Sequence, residues 1–532
     1  MLPPLQKTPM MREESHLAPQ MPESHRYHQP IMQTTLKTIL FILLAVSLTN
    51  AKGDEPQVAP HPVPWEFASA RYGVAVNGKP VTVFLASMNL HFASFDFSGK
   101  AEVEVTINEN DYNRSDGKSY AKPDEFWHEK PLVRPLSRGI QAKTEGRRVT
   151  FDITRPGQYS VERPGTGHFE DEVLFLFANP PERDIPSRDD PKVIWLGAGT
   201  HQRSVDLISG QTLYLAPGAV LYGAINIWDA ENVQIRGRGV AVYNGPNARN
   251  FDTGWMSRPN WHPLTTHNVK NLVVEGVTFV NRARTWSLQL RRTMDSTFDN
   301  IKIIASTPEN LNCDGMDWYG GGRAVVRDSF IRSADDCLAI FAEDASQSLR
   351  VDRGGGGHLP GAPEKEVPPT HGEFSGLTVE RCVFWPTVAN VLRAGWNKQS
   401  LTTSAVTIRD CDVIHAGGLR EKPWMGADWS LFSSVIPEGG GICEHRDYFF
   451  DDIRVEPPFA LIGVNCPQAT LRKFRFRNIR IADEAGTSLL RADAEGLGFE
   501  NVSIAGRTAT NTRDLNLTLE GKTKDITVIN VR

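Results

Sequence analysis

A loose repeat of short β-type runs constrains the fold of this chain more than any other feature. The repeat begins with "NVQIRGRGVAVYNG" at residue 232 and continues to "GFENVSIAG" at residue 498. Each unit alternates apolar and polar residues and bends at Asn, Asp or Gly, and several neighbouring units lie about 24–27 residues apart. One such coil cannot bury its own apolar face, but coils stacked about 4.8 Å apart share a core. The repeat therefore predicts a right-handed parallel β-helix over residues 193–532. A β-propeller fits less well, because its blades repeat at about 40–45 residues.

The segment before the repeat has a different sequence pattern. Residues 54–185 contain short alternating runs such as "YGVAVNG", "EVEVTI" and "EVLFLFANP", separated by Gly, Pro and Asn. This pattern is typical of a β-sandwich of short antiparallel strands. The proline-rich stretch "NPPERDIPSRDDPKV" then indicates a linker. The predicted fold class is all-β, with an N-terminal β-sandwich followed by a right-handed parallel β-helix.

The first 51 residues are predicted to be an upstream extension and a signal peptide. In "LKTILFILLAVSLTNAKGDE" a lysine precedes an apolar run from Ile39 to Leu48, and small residues follow it. The run is shorter than the roughly 20 residues that span a bilayer. We therefore expect cleavage after Ala51 and a secreted or periplasmic protein without a membrane span.

Net charge and cysteine content bear on two questions, whether the protein binds nucleic acid and whether it forms disulfides. A net charge of −5 gives no indication of a nucleic-acid partner, and we expect a monomer. The six cysteines stand at positions 313, 337, 382, 411, 443 and 466. Because several of these steps are close to one or two coil lengths, we expect them at one repeated position of the coil, as small buried residues rather than disulfides.

Three carboxylates stand out within the repeat. In "NLNCDGMDWYGGGRAVVRDSFIRSADDC", Asp314 precedes the adjacent pair Asp335 and Asp336 by about one coil. Asn, Asp and Gly are common at β-helix bends, so each acid alone is compatible with a structural role. As a cluster on adjacent rungs, however, they would raise one another's pKa, so that one keeps a proton while the others stay anionic. A glycosidase needs this division between an acid and a water-activating base.

The same stretch resembles the active-site strands of the β-helical inverting glycoside hydrolases. "NCDGMDWYGG" and "RDSFIRSADDCLAIF" are similar to the N-x-D-G and D-D motifs of families 28 (polygalacturonases) and 49 (dextranase and isopullulanase). "VLRAGWNKQSLTTSAVTIRDCDVIHA" and the N-terminal sandwich are more similar to family 49. The resemblance implies that Asp335 is the general acid and that Asp314 and Asp336 hold the attacking water. No cofactor and no metal are expected.

Departures from family 28 bear on the substrate. Its "GHG" motif is replaced by "ANVLRAGW", which puts Asn390 near the place of the histidine, and its substrate-binding "RIK" motif is absent. The resemblance thus favours a neutral α-glucan such as dextran. Because Arg393 remains a candidate anion contact, an acidic or sulfated glycan, as in a polygalacturonase-like hydrolase, stays an alternative. The expected substrate-binding residues are Asn312, Tyr319, Asn390, Arg393 and Trp396.

Further candidates have both a functional and a structural interpretation. The aromatic residues around the motifs are either sugar-stacking platforms or core, and His415 and Asp412 either line the groove or support the fold; the aromatic residues are Trp318, Tyr319, Trp385 and Trp396. Two other classes of protein, polysaccharide lyases and non-catalytic glycan-binding proteins, share the β-helix fold. A polysaccharide lyase would need a uronate substrate and a Lys or Arg base, and a non-catalytic protein would bind glycan without turnover.

Overall fold

The computed structural model describes residues 57–87, 89–108, 130–167, 171–245, 262–283, 285–305, 313–342, 371–396, 400–417, 427–436 and 438–531. The predicted signal peptide and Asn312 lie outside these residues. Within them, no helix has the length and apolar character needed to cross a membrane. They form almost entirely β-structure, together with two short 3-10 helices at Trp65–Phe67 and Leu136–Arg138.

The N-terminal part consists of eleven described strands in two sheets. One sheet has the order β1-β5-β11-β10-β7 with β4 paired to β5, and the other has the order β3-β2-β6-β9-β8. All pairings are antiparallel except that of β11 with β5. The strands are β1 Val58–Pro60, β2 Tyr72–Val76, β3 Lys79–Val81, β4 Val83–Ser87, β5 Leu90–Phe97, β6 Ala101–Ile107, β7 Leu132–Arg134, β8 Lys143–Glu145, β9 Arg148–Ile153, β10 Gly157–Glu162 and β11 Val173–Asn179.

The two sheets pack face to face, as the alternating sequence predicts. Inward residues such as Val103 and Val105 of β6 meet Leu174 and Leu176 of β11 in one apolar cluster. Every residue of β11 is buried, because its other face packs against the β-helix. This double burial explains why "VLFLFAN" is continuously apolar rather than alternating.

The second part is a β-helix built from a single sheet of 27 described strands. Its strand pairings are parallel, apart from the hairpin of β35 and β36. The strands are β12 Val193–Leu196, β13 Gly199–Gln202, β14 Val205–Leu207, β15 Thr212–Leu215, β16 Ala219–Tyr222, β17 Ile225–Gly237, β18 Val240–Tyr243, β19 Leu264–Glu275, β20 Thr278–Asn281, β21 Leu288–Asp299, β22 Lys302–Ala305, β23 Met316–Arg327, β24 Phe330–Ser333, β25 Leu338–Phe341, β26 His371–Glu380, β27 Val383–Pro386, β28 Leu392–Trp396, β29 Ser400–Val413, β30 Ser430–Val435, β31 Cys443–Val455, β32 Ala460–Arg477, β33 Arg480–Ile481, β34 Ser488–Glu500, β35 Ser503–Ile504, β36 Arg507–Thr508, β37 Leu517–Leu519 and β38 Thr523–Ile529.

Equivalent residues of successive coils stack into columns that fill the helix. The rings of Phe450 and Phe476 stack with centroids 4.7 Å apart and an interplanar angle of 4°. Phe499 continues the stack at 5.2 Å from Phe476. The column as a whole runs through Leu213, Ile235, Val274, Phe298, Val326, Val379, Ile408, Phe450, Phe476 and Phe499. These apolar residues give the coils the shared core that the repeat predicts.

The bends also stack, and they require a left-handed backbone. One column of residues with positive φ includes Asn271 at 57°, Asp447 at 59° and Gly496 at 72°. Asn, Asp and Gly tolerate this conformation better than other residues, which accounts for their recurrence in the repeat. The same column places Ala405 at a φ of 56°.

The sandwich docks on one flank of the β-helix through an apolar interface. Phe175 of β11 lies 4.9 Å from Phe330 and 6.0 Å from Trp385, measured between ring centroids. Trp385 is therefore fully buried in this interface and does not stand beside a groove. At the same interface, His415 Nε2 lies 2.7 Å from Glu162 Oε2. His415 therefore supports the fold and does not line a groove.

The cysteines depart from one expectation. All six are buried free thiols, as expected for small residues of the core. Cys382 and Cys411 stack on adjacent coils, with the Cys382 amide 3.4 Å from the Cys411 sulfur, and the thiols of Cys443 and Cys466 also contact each other. The expectation of one shared position is nevertheless wrong for the set. Cys313 and Cys337 do not stack, because Met316 pairs with Leu338 and the coil there advances by 22 residues rather than 24.

Candidate active site

A ladder of polar side chains runs along one edge of the β-helix, where the chain enters the strands β23, β25, β28 and β30. Asp314 Oδ1 accepts the backbone N–H of Asp336 at 3.2 Å, and Asp336 Oδ1 accepts that of Asn390 at 2.9 Å. Asn390 Oδ1 in turn accepts the backbone N–H of Ser430 at 3.1 Å. These four residues occupy one position in four successive coils. The ladder therefore fixes the Asp314 and Asp336 carboxyls on adjacent rungs, as the sequence predicted.

Asp336 is held by two further groups. The side-chain amide of Asn390 donates to Asp336 Oδ1 at 2.9 Å, and Arg393 Nε donates to Asp336 Oδ2. Arg393 and Asp336 are both almost fully buried. Although burial opposes its charge, the Asp336 and Asp335 carboxylates raise the pKa of Arg393. The structure thus places Asn390 and Arg393, two expected substrate contacts, on the carboxyl of Asp336.

Asp335 differs from its neighbour Asp336. It lies at a bend between β24 and β25, and it is partly exposed whereas Asp336 is buried. The bend is held by Ser333, whose hydroxyl donates to the Asp335 carbonyl at 2.7 Å. Because Asp335 stands outside the ladder, its side chain is the one of the pair that remains accessible to a substrate.

The acids of this cluster share a crowded, weakly hydrated space. Burial, and then the neighbouring charges of Asp314 and Asp336, raise the pKa of Asp335 well above its ordinary value, while Arg393 opposes the shift. Burial and the carboxyls of Asp317 and Asp336 raise the pKa of Asp314 in the same way. Protons therefore remain in the cluster at pH values where isolated aspartates have lost theirs.

A fourth carboxyl, Asp317, belongs to the cluster and was missed by the sequence reasoning. It lies on β23, where Met316 and Trp318 on either side point into the helix core. Its side chain is fully buried, and burial raises its pKa well above the ordinary value. The available signal was the spacing in "CDGMD", which places a second acid three residues after Asp314.

Aromatic residues lie next to the carboxyls. Tyr319 packs against Trp286 and Phe341, with Trp396 partly buried at the edge of the same cluster. The Arg393 guanidinium lies 5.1 Å from the Trp396 ring centroid. Trp396 is thus the more exposed of the two aromatics expected to bind substrate, and Tyr319 is buried. Trp318 belongs to the helix core and does not flank a groove.

The arrangement of charges favours acid–base chemistry over metal binding. Oxygen atoms of Asp314, Asp335 and Asp336 lie within 4.8 Å of one another, a spacing that could also hold an ion. However, the Arg393 guanidinium already contacts Asp336 and supplies a positive charge at this position. This charge opposes the binding of a further cation at Asp336.

Comparison with known proteins relates this region to glycoside hydrolases. The family model for glycosyl hydrolases family 28 matches residues 222–359, a segment that includes Asp314, Asp335 and Asp336. An Arabidopsis thaliana protein named exopolygalacturonase clone GBGE184 is 25% identical over 267 residues, which cover 49% of this chain and 51% of that protein. The chain thus spans about half the length of this relative.

A solved structure extends the comparison to the whole fold. Dex49A from Penicillium minioluteum matches with a TM-score of 0.57 and 15% identity, over 87% of this chain and 95% of that chain. At this identity the match shows a shared fold, and it confirms the predicted fold class. Together with the family match, it confirms the predicted resemblance to the β-helical glycoside hydrolases.

Proposed function

We propose that this protein is an exported glycoside hydrolase that cleaves a polysaccharide at the Asp314–Asp335–Asp336 cluster. The observation that carries the proposal is the difference between the two adjacent acids. Asp336 is buried and held by Asn390 and Arg393, whereas Asp335 is partly exposed and has a raised pKa. One site thus combines a fixed carboxylate with an accessible acid.

The roles follow from these environments. Asp335 donates its proton to the glycosidic oxygen as the C–O bond breaks, so that the leaving sugar departs as an alcohol. Asp314 and Asp336 orient a water molecule, which attacks the anomeric carbon and loses its proton to one of them. Arg393 keeps Asp336 in place during this step, because the ion pair is shielded from water.

Inversion of the anomeric centre is the expected outcome. A single attack by water inverts this centre, and the resemblance to inverting families supports that course. The nearest carboxylate oxygens, however, lie within 4.8 Å of one another, whereas inverting pairs are usually about 6.5–9.5 Å apart. The close spacing favours a double displacement as the second candidate. Proton NMR of the first product anomer distinguishes the two, since a retained anomer contradicts inversion.

A neutral α-glucan such as dextran is the proposed substrate. The candidate anion contact Arg393 is bound to Asp336 and buried, so it is not available for a sugar carboxylate. The second candidate is a galacturonan. It is favoured by the match to glycosyl hydrolases family 28 and by the relative named an exopolygalacturonase.

One experiment tests both candidates. The mature protein is incubated with dextran, pullulan, polygalacturonate and algal glycans, and product sizes are determined. We expect Asp335→Asn to lower turnover by at least about a thousandfold, because the general acid is lost. The matched control is Asp328→Asn, at a partly exposed bend where Asp328 pairs with Arg381; this variant should keep full activity. Equal activity of the two variants would remove Asp335 from the mechanism.

The same assay addresses the remaining alternatives. Products that absorb through an unsaturated C4–C5 bond would identify a lyase, and glycan binding without turnover would identify a non-catalytic protein. Export is proposed from the leader alone, so the amino-terminal sequence of the mature protein is its test. A start at Lys52 supports the proposed cleavage, and a start well before it contradicts export by this leader.

A further inference from the structure

Asp317 is a buried acid of the cluster, and it has no role in the mechanism proposed above. Its side chain has no solvent exposure, and neither of its oxygens receives a hydrogen bond from an N–H or O–H group of the described residues. A buried polar group without partners is costly and uncommon in folded proteins. Such a carboxyl calls for a functional explanation.

The position of Asp317 directs it towards the catalytic acids. In the column of equivalent residues, Gln289 precedes it by one coil and the small Ala339 follows it. Its carboxyl contacts the carboxyl of Asp314. The nearby charges of Asp336 and Asp335 also raise the pKa of Asp317. Two carboxyl groups in contact are stable only when they share a proton.

Other charged and titratable groups around the pair do not neutralise Asp317. Arg393, one coil beyond Ala339 in the same column, is bound to Asp336. Arg291 of the preceding coil lies over the Tyr319 ring, with 4.8 Å between the guanidinium carbon and the ring centroid. The phenol of Tyr319 is buried as well, and its pKa is raised.

The two partners of the shared proton are not equivalent. Asp314 as an anion gains the backbone N–H of Asp336 at 3.2 Å and the positive charge of Arg393. Asp317 as an anion would accept only the O–H of Asp314, without a further donor or a counter-charge from the described residues, and it is the more completely buried of the two. The anion is therefore more stable on Asp314, and the proton on Asp317.

We propose that Asp317 works in its neutral form, as a hydrogen-bond donor that orients the Asp314 carboxylate towards the attacking water. It is a positioning residue, since it acts through Asp314 and not on the sugar. This assignment rests on the proposed hydrolase function. The site would then contain one buried acid that must stay protonated, next to acids that exchange protons.

Two substitutions separate a neutral donor from a carboxylate or a space-filling group. Asp317→Asn keeps the shape and an N–H donor for Asp314, so we expect kcat on the best polymer substrate to stay within about tenfold of wild type. Asp317→Leu keeps the branched outline of the side chain without a donor, and kcat should fall by at least about a hundredfold with KM little changed. Equal losses in the two variants, or a loss confined to KM, would overturn the proposal.

Thermal unfolding between pH 4 and pH 8 provides a readout that does not require hydrolysis. A carboxyl whose pKa is raised by folding weakens the folded state as the pH rises above the unfolded value of about 4. Asp317→Asn cannot ionise, so its Tm relative to wild type should increase from pH 4 to pH 8. A constant or decreasing difference would show that Asp317 is ionised in the folded protein. If the difference increases but no polymer is cleaved, the hydrolase proposal fails while the neutral state of Asp317 stands.

Discussion

Arg393 and Asp336 form a buried ion pair at the centre of the carboxyl cluster, with each side chain only 3% exposed. Asp336 also accepts the backbone and side-chain N–H groups of Asn390. Since both charges are withdrawn from water, the pair depends on this full set of partners. Its main consequence is to fix a negative charge beside the more exposed Asp335.

Breaking this ion pair should cost both stability and activity. Arg393→Gln leaves the Asp336 charge buried without its partner, and we expect the free energy of unfolding to fall by about 3–5 kcal/mol. Urea denaturation measures this change. The control is Arg409→Gln, because Arg409 is half exposed and pairs with Glu380; its effect should be within about 1 kcal/mol. Similar losses for both variants would contradict the claim that the buried ion pair contributes more to stability than an exposed one.

The pH dependence of hydrolysis should follow Asp335. Because its pKa is raised by burial and by its acidic neighbours, the acid form persists well above the pH at which an ordinary aspartate ionises. Activity should therefore extend towards neutral pH and then fall as Asp335 loses its proton. A profile of kcat between pH 3 and pH 9 checks this. A decline that is complete near pH 4 would place the acid elsewhere.

One bend of the β-helix is occupied by an unsuitable residue. Ala405 is exposed and adopts a φ of 56°, in a column whose other members include Asn271 and Asp447. Asn tolerates this conformation better than Ala, so Ala405→Asn should raise the free energy of unfolding by about 0.5–1 kcal/mol. The control Thr407→Asn, on the same strand and without a positive φ, should give no gain. A loss of stability in Ala405→Asn would contradict the strain at this bend.

The cysteines should be unreactive until the protein unfolds. All six are buried free thiols, and burial raises the pKa of Cys313 and of Cys337. A thiol reagent should therefore label few sites in the native protein and six in guanidinium chloride without reductant. Four labelled sites in the denatured protein would indicate one disulfide, with the stacked Cys382 and Cys411 as the first pair to examine.

The sequence predicted those features that depend on local pattern. Stacked Asn, Asp and Gly bends follow from the left-handed backbone that each coil needs, and the stacking of Asp314 on Asp336 follows from the coil length. Trp385 shows where such reasoning ends. Alternation places it on the outside of the coil, but only the docked sandwich decides that this outside is buried.

Side-chain partners across coils were equally inaccessible from the sequence. Asn390 and Arg393 stand beside the motifs predicted to be catalytic, which is compatible with contact to a sugar or to another residue. The structure directs both to Asp336, which accepts the backbone and side-chain N–H groups of Asn390 and the Nε–H of Arg393. Asp317 lay in the quoted motif, yet its burial and lack of donors are properties of the folded cluster.

The strand β11 has a wider consequence for the molecule. Its two faces complete two different cores, with Leu174 and Leu176 on one side and Phe175 and Phe177 on the other. Neither half can retain its packing if this strand leaves, so the sandwich and the coil stack should melt as one cooperative unit. The β-helix expressed without its partner would present Phe330 and Trp385 to water, as an adhesive surface prone to self-association.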